Sequence, residues 1–181
     1  MKPTSFRVTR QRLQGDYAAI LRHYKKTHSL KQIISFALMP SMWAVFLFRA
    51  SHYFHSNGFK MTGRILYIVN LILTGADIAP SYDIDEGFLM YHPHGMKVAA
   101  KIGKNVTLTC NVILGGSGSD EDIGGGPGLP VIGNNVMLGA RATVLGPVYI
   151  ESGSFIGACK LVTKKTLKDS RAQSIPIEAV S

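Results

Sequence analysis

The stretch VIGNNVMLGARATVLGPVYIESGSFIGACKLV, Val131 to Val162, places an aliphatic side chain at every sixth position: Ile132, Leu138, Val144, Ile150, Ile156 and Val162. Counted back in the same phase, the series meets Leu114, Leu108, Ile102, Met96, Met90, Ile84 and Ile78. Of the fourteen steps from Ile78 to Val162, twelve land on an apolar residue. The two that miss, Asp120 and Gly126, lie in the Gly- and Asp-rich segment Gly115 to Leu129. A segment that leaves a repeat and returns in phase reads as an insertion.

A period of six fits neither an amphipathic helix nor an alternating strand, so repeat architectures come first. Three six-residue segments make one triangular coil of about eighteen residues, with each recurring aliphatic side chain stacked on the one above. Glycine often follows the aliphatic residue, as in Ile102-Gly103, Leu138-Gly139 and Ile156-Gly157, where it turns a corner at little steric cost. The position four residues after the aliphatic one is also small or apolar: Val106, Val112, Val136, Ala142 and Val148.

The 181 residues suggest one principal domain with an appendage. Residues 1–75 form a helical, basic and apolar amino-terminal segment. Residues 76–165 are the repeat domain with a loop insertion at 115–129, and 166–181 are a tail without period. Of the net charge of +9, about seven charges lie before residue 32: Lys2, Arg7, Arg10, Arg12, Arg22, Lys25, Lys26 and Lys31 stand against Asp16 alone. Such a segment attracts anionic surfaces or substrates. No helix-turn-helix, zinc-finger or RNA-recognition signature accompanies it, so nucleic acid is not an expected partner. Cys110 and Cys159 form no metal-ligand pattern and read as buried thiols, with no metal expected.

A basic helix is expected from about Asp16 to Lys26. Two apolar stretches follow, Ile33 to Ala50, interrupted at Pro40-Ser41, and Ile65 to Thr74, ending at Gly75. Each is shorter than the roughly twenty apolar residues of a spanning helix, so they are expected to pack on each other or on the solenoid end. A third reading rests their apolar faces and the basic segment on an anionic membrane surface. The start lacks a secretory signal, which points to a cytoplasmic product, with the inner face of the membrane as its place under the third reading.

Two places break the aliphatic pattern: Asp77 at its opening and Tyr91-His92-Pro93-His94-Gly95 in the second coil. An imidazole near neutral pKa can take a proton from an attacking hydroxyl if a carboxylate fixes its tautomer, and Asp77 with His92 can supply that pair. A turn histidine beside Pro and Gly is the structural alternative. His94 falls at an inward-leaning place by count and reads as a packed core residue.

At this point the motifs resemble a family. Gly75-Ala76-Asp77-Ile78-Ala79-Pro80, His92, Val112-Ile113-Leu114-Gly115-Gly116, Pro130 to Val136 and Leu138 to Gly146 together look like a serine acetyltransferase of the hexapeptide-repeat acyltransferases. The resemblance implies a mainly β fold, a left-handed parallel β-helix, and acetyl-CoA-dependent O-acetyl transfer by direct attack. It makes His92 the general base and Asp77 the residue that orients it. It puts the pantetheine arm of CoA against small residues matched here by Gly116, Gly139, Ala140, Gly157 and Ala158, with Lys160, Lys164 and Lys165 toward the phosphates. It also implies a homotrimer whose grooves are lined by two chains.

Where such enzymes carry Arg-His before the Pro-x-Ile step, this chain has Gly128-Leu129, and the preceding loop carries Asp120-Glu121-Asp122. The amino-terminal segment is shorter and more apolar. These departures point to a rebuilt acceptor side and to the hydroxyl of a sugar in surface polysaccharide biosynthesis as acceptor. Serine acetylation for cysteine synthesis is the first alternative, and a non-catalytic scaffold the second.

Overall fold

The structure is a computed structural model describing residues 3–23 and 39–165. The end of the expected basic helix at Lys25 and Lys26, the apolar residues Ile33 to Leu38 and the tail 166–181 lie outside them.

Helix α1 spans Phe6–His23. It starts ten residues before the sequence expectation because Ser5 Oγ accepts from the Val8 N–H at 3.3 Å, satisfying an orphan donor of the first turn. Helix α2, Pro40–Ser56, begins where the apolar stretch was interrupted. Proline suits a first turn, where its missing N–H costs nothing. Helix α3, Lys60–Thr74, ends at Gly75, whose φ of 71° is the left-handed cap that glycine adopts without strain. Helices α2 and α3 form a hairpin. Ser51 Oγ donates to the Gly63 carbonyl at 2.7 Å and Asn70 Nδ2 to the Ala44 carbonyl at 3.0 Å. A Cβ on Gly63 would fall 2.9 Å from the Ser51 carbonyl, so close approach requires glycine there. Among the described residues no helix is long and apolar enough to cross a membrane.

From Asp77 onward, short strands build three parallel sheets. One holds β1 (Asp77–Ile78), β3 (Lys97–Val98), β6 (Ile113–Gly115), β9 (Thr143–Leu145) and β12 (Leu161–Val162). The second holds β4 (Lys101–Ile102), β7 (Val131–Ile132) and β10 (Tyr149–Ile150), and the third β2 (Leu89–His92), β5 (Thr107–Cys110), β8 (Met137–Leu138) and β11 (Phe155–Ile156). The chain passes from sheet to sheet and returns after one coil, which is a left-handed parallel β-helix. Met90 pairs with Leu108, eighteen positions on, whereas Leu108 pairs with Leu138, thirty positions on. The insertion thus adds twelve residues, a multiple of six, and the phase survives it.

Two features depart from the count. In the ladder, Ile78 pairs with Val98 and Val98 with Leu114, so Val98 and not Met96 forms that rung, although Met96 is buried. The corner after His92 is two residues wider, and the shorter step from Val98 to Ile102 recovers them. His94, expected inside, is consequently exposed on that corner. The second departure concerns the glycines that follow the aliphatic rungs. Left-handed backbone falls instead on Asn105, Asn111, Asn135, Arg141 and Cys159 and on other glycines. Gly139 serves close approach: a Cβ there would meet the Ala158 nitrogen at 2.6 Å.

The rungs form one core running from Ile78 to Val162, and Ala44, Val45 and Phe48 of α2 close its open end. Burial of such side chains contributes on the order of 25 cal/mol per Å² of apolar surface. A buried ion pair fixes the cap. Arg49 donates bidentately to Asp16 at 2.9 and 3.1 Å, to the Asp85 carbonyl at 2.6 Å and to the Ile84 carbonyl, while Phe88 N–H donates to Asp16 at 2.8 Å. Burial pushes the Asp16 carboxyl upward and the adjoining guanidinium draws it back. Three elements, α1, α2 and the first coil, therefore meet at one guanidinium.

Removing one partner strands the other charge in the interior. Asp16→Asn or Arg49→Met is expected to lower unfolding stability by about 3–5 kcal/mol, read from urea denaturation. A loss below about 1 kcal/mol would show that the pair does not lock the cap.

Candidate active site

His92 is the last residue of β2 and is exposed. The residue before it is tied from two sides: Ser41 Oγ donates to the Tyr91 carbonyl at 2.8 Å, and Tyr91 Oη lies 2.8 Å from His23 Nδ1. Helices α1 and α2 thereby hold the end of the strand that presents the imidazole. In the ladder, His92 pairs with Cys110. The Cys110 carbonyl accepts from the Arg141 N–H at 2.8 Å, and the Ala140 carbonyl accepts from the Cys159 N–H at 2.8 Å. His92, Cys110, Ala140 and Ala158 therefore stand in one column along one corner of the prism. His92 and Ala158 are exposed and Cys110 and Ala140 half-buried, so the column runs along the surface.

Asp77 opens β1 across the same corner. Its N–H donates to the Met96 carbonyl at 2.9 Å, and the Gly95 N–H donates to the Gly75 carbonyl at 3.0 Å. The carboxylate is half-buried: Tyr67 Oη donates to Oδ1 at 2.8 Å, and Lys97 Nζ lies 3.8 Å from Oδ2. Burial, and then the Asp77 charge, push the Tyr67 hydroxyl above its ordinary value, so it stays a protonated donor. Among the described residues no hydrogen bond joins Asp77 to His92. Tyr67 carried no signal in the sequence, because only the docking of α3 brings it to the carboxylate.

The other expected binding residues divide. Gly139 is buried under the next coil, whereas Gly157 is half-exposed with only Lys160 Cγ, at 3.7 Å, near a built Cβ. Ala140 is half-exposed, and Ala158, Lys160 and Lys165 are exposed. Lys164 is engaged elsewhere, its Nζ 2.8 and 2.6 Å from the two Glu121 carboxylate oxygens. Gly116 lies at a different corner, after β6, where the insertion leaves the coil. Cys110 is half-buried and Cys159 exposed, contrary to the expectation of two buried thiols, because both sit on the corner and not on a rung. Among the described residues no group of three His, Cys, Asp or Glu side chains could hold a metal.

The insertion folds on itself. Asp122 Oδ1 accepts from the Gly124 and Gly126 N–H groups at 2.7 and 3.0 Å, which hold its carboxyl below the ordinary value. Leu129 lies between Gly116 and Gly126: a Cβ on either would come within 3.3 or 3.1 Å of its methyls. Leu129 thus closes the base of the loop, a packing role that the sequence did not reveal.

Residues 130–164 match the family described as bacterial transferase hexapeptide (six repeats). A serine acetyltransferase of Helicobacter pylori is 32% identical over 145 residues, covering 76% of this chain and 82% of that protein. The serine acetyltransferase of Mycobacterium tuberculosis is 33% identical over 143 residues, covering 78% of this chain and 61% of that protein. The crystal structure of serine acetyltransferase isoform 3 of Entamoeba histolytica in complex with cysteine superposes with a TM-score of 0.72 at 28% identity. It covers 86% of this chain, and this chain spans 54% of its length.

Two glycines of the site separate packing from open surface. Gly139→Ala would press a methyl on the backbone of the next coil and is expected to cost about 1–3 kcal/mol, while Gly157→Ala is expected to stay within about 0.5 kcal/mol of the parent. Denaturant midpoints of the two variants check this; equal midpoints would refute the assignment of Gly139 to coil packing.

Proposed function

The chain belongs to the serine acetyltransferase family, and from that premise we propose that it moves an acetyl group from acetyl-CoA to a hydroxyl by direct attack, with serine as acceptor. The observation that carries this reading is the corner column, which aligns His92 with the small residues Ala140 and Ala158. An extended pantetheine arm laid along that column would bring its thioester to the imidazole. His92 takes the acceptor hydroxyl proton as the oxygen bonds to the thioester carbon. Collapse of the tetrahedral intermediate breaks the carbon–sulfur bond, and the proton passes from the imidazolium to the departing thiolate.

Asp77 orients the imidazole and balances its transient charge. Tyr67 already occupies Oδ1, which leaves Oδ2 to accept from the ring N–H. A correctly placed base of this kind is worth about 10²–10⁴ in rate, and positioning supplies much of the remainder. Lys160 and Lys165, exposed at the last coil, are the cations suited to the CoA phosphates.

The names of the relatives favour serine over the sugar acceptor suggested by Gly128-Leu129. Leu129 also loses weight as an acceptor contact, since its side chain closes the insertion loop. The sugar reading keeps one support, the absence from that position of a side chain able to pair with a charged amino acid. Release of free thiol from acetyl-CoA in the presence of serine, against sugars, decides between them. An absence of acetyl-CoA binding in calorimetry would instead favour a scaffold.

His92→Ala is expected to lower kcat by about 10²–10⁴ with CoA binding retained, whereas Ala158→Phe is expected to raise KM for acetyl-CoA by about tenfold or more and leave the melt unchanged. Unchanged turnover in the first variant, or unchanged KM in the second, would remove the column from the reaction. The flat sheets suit a homotrimer with clefts lined by two chains, expected as a single trimeric species in sedimentation; a monomer at full activity would refute it.

A further inference from the structure

Helix α3 is built inside out. Its buried residues are Gly63 and Asn70, which meet α2, and Thr74, which bonds back to Asn70. Those at its opposite face are Met61, Ile65, Ile68 and Ile72, spaced one helical face apart and exposed by 73, 57, 43 and 75%. Leu73, at 66%, and Phe59, at 63%, extend the apolar exposure at the two ends of the helix. On α2, Trp43 and Phe46, packed edge to face at 6.2 Å, are exposed by 49 and 48%. Soluble chains do not leave so large an apolar stripe uncovered without a partner.

The charges around the stripe indicate the partner. Between Asp16 and Asp77 the sequence has no Asp or Glu, while it has Arg22, Lys25, Lys26, Lys31, Arg49, Lys60 and Arg64. Arg49 is neutralised by Asp16 in the interior, and no acidic residue within this part of the sequence balances the rest. Lys60 and Arg64 are exposed on the first turns of α3, beside the stripe. A second copy of this chain docked through the same stripe would face those cations with its own, and neither helix pair has a carboxylate to offer. An anionic lipid surface offers both an apolar interior and negative headgroups. Since no described helix is long and apolar enough to span, the pair would lie in the plane of the interface.

We propose that the outer face of α3 binds an anionic bilayer peripherally, with Met61, Ile65, Ile68 and Ile72 entering the headgroup boundary and Lys60 and Arg64 on the lipid phosphates. The binding surface is separate from the corner column, so it would hold the column's acceptor chemistry beside a membrane without lending it any residue. It rests on no assumption about acetyl transfer.

The test is flotation of the full chain with vesicles of equimolar phosphatidylglycerol and phosphatidylcholine, against phosphatidylcholine alone. The chain is expected to float with the anionic vesicles and at least about fivefold less with the neutral ones. Ile65→Ser with Ile72→Ser, both at exposed positions, is expected to lower the partition coefficient by about tenfold or more with an unchanged melt. Lys60→Gln with Arg64→Gln is expected to lower it by about tenfold on anionic vesicles alone. No flotation, or flotation indifferent to the serine pair, overturns the proposal. A change of sedimenting mass in the serine pair, without vesicle binding by the parent, would instead assign the stripe to contacts between copies.

Discussion

The structure depends on one constraint, that a parallel ladder pairs each residue with its counterpart one coil away. Once the aliphatic rungs lock the coils in register, every other position in the hexad is also stacked on its equivalent. Residues distant in sequence then fall into columns, as Asn105 does on Asn135, whose side chains hydrogen-bond at 3.2 Å. The same stacking carries His92 onto Cys110, Ala140 and Ala158. The repeat thereby sets one imidazole at the head of a line of small corner residues.

A ladder has open ends, and an uncovered end would expose both its backbone groups and its core. Here α2 covers the first coil with Ala44, Val45 and Phe48, and the Arg49–Asp16 pair sets its orientation. A buried ion pair costs nearly as much in desolvation as it returns in attraction. Its value lies in geometry: five hydrogen bonds converge on α1, α2 and the Ile84–Phe88 segment, and alternative dockings would leave them unmade. The same docking brings Tyr67 to Asp77 and Ser41 to the Tyr91 carbonyl. The cap therefore shapes the corner at which the imidazole stands.

The two faces of the helical hairpin show how differently the parts of this chain meet their surroundings. Its inner face spends polar groups on helix–helix hydrogen bonds, through Ser51 and Asn70, with Thr74 bonded to Asn70 within its own helix, and the outer face of α3 carries the aliphatic side chains. In the solenoid the order is the usual one, with aliphatic rungs inside and Lys, Asn and Glu at the corners. The apolar side chains are thus gathered inside the coils in the repeat and on the outer surface of α3 in the cap.

The six-residue period by itself determined the coil, its three-sided section and the insertion, because an inward position that recurs at six can be satisfied only by a turn after each segment. The insertion length kept phase for the same reason. The family motifs placed Asp77 and His92, both of which lie at one corner. What only the tertiary structure decided follows from contacts between segments without any shared period. A corner two residues wider after His92 moved the rung from Met96 to Val98 and left His94 exposed. The next coil fell directly over Gly139, so that glycine answers to packing and not to a backbone angle. Docking of α3 supplied Tyr67, folding of the loop paired Lys164 with Glu121 and gave Leu129 its place, and no local pattern encodes any of the three, because each depends on where two separately folded pieces come to rest.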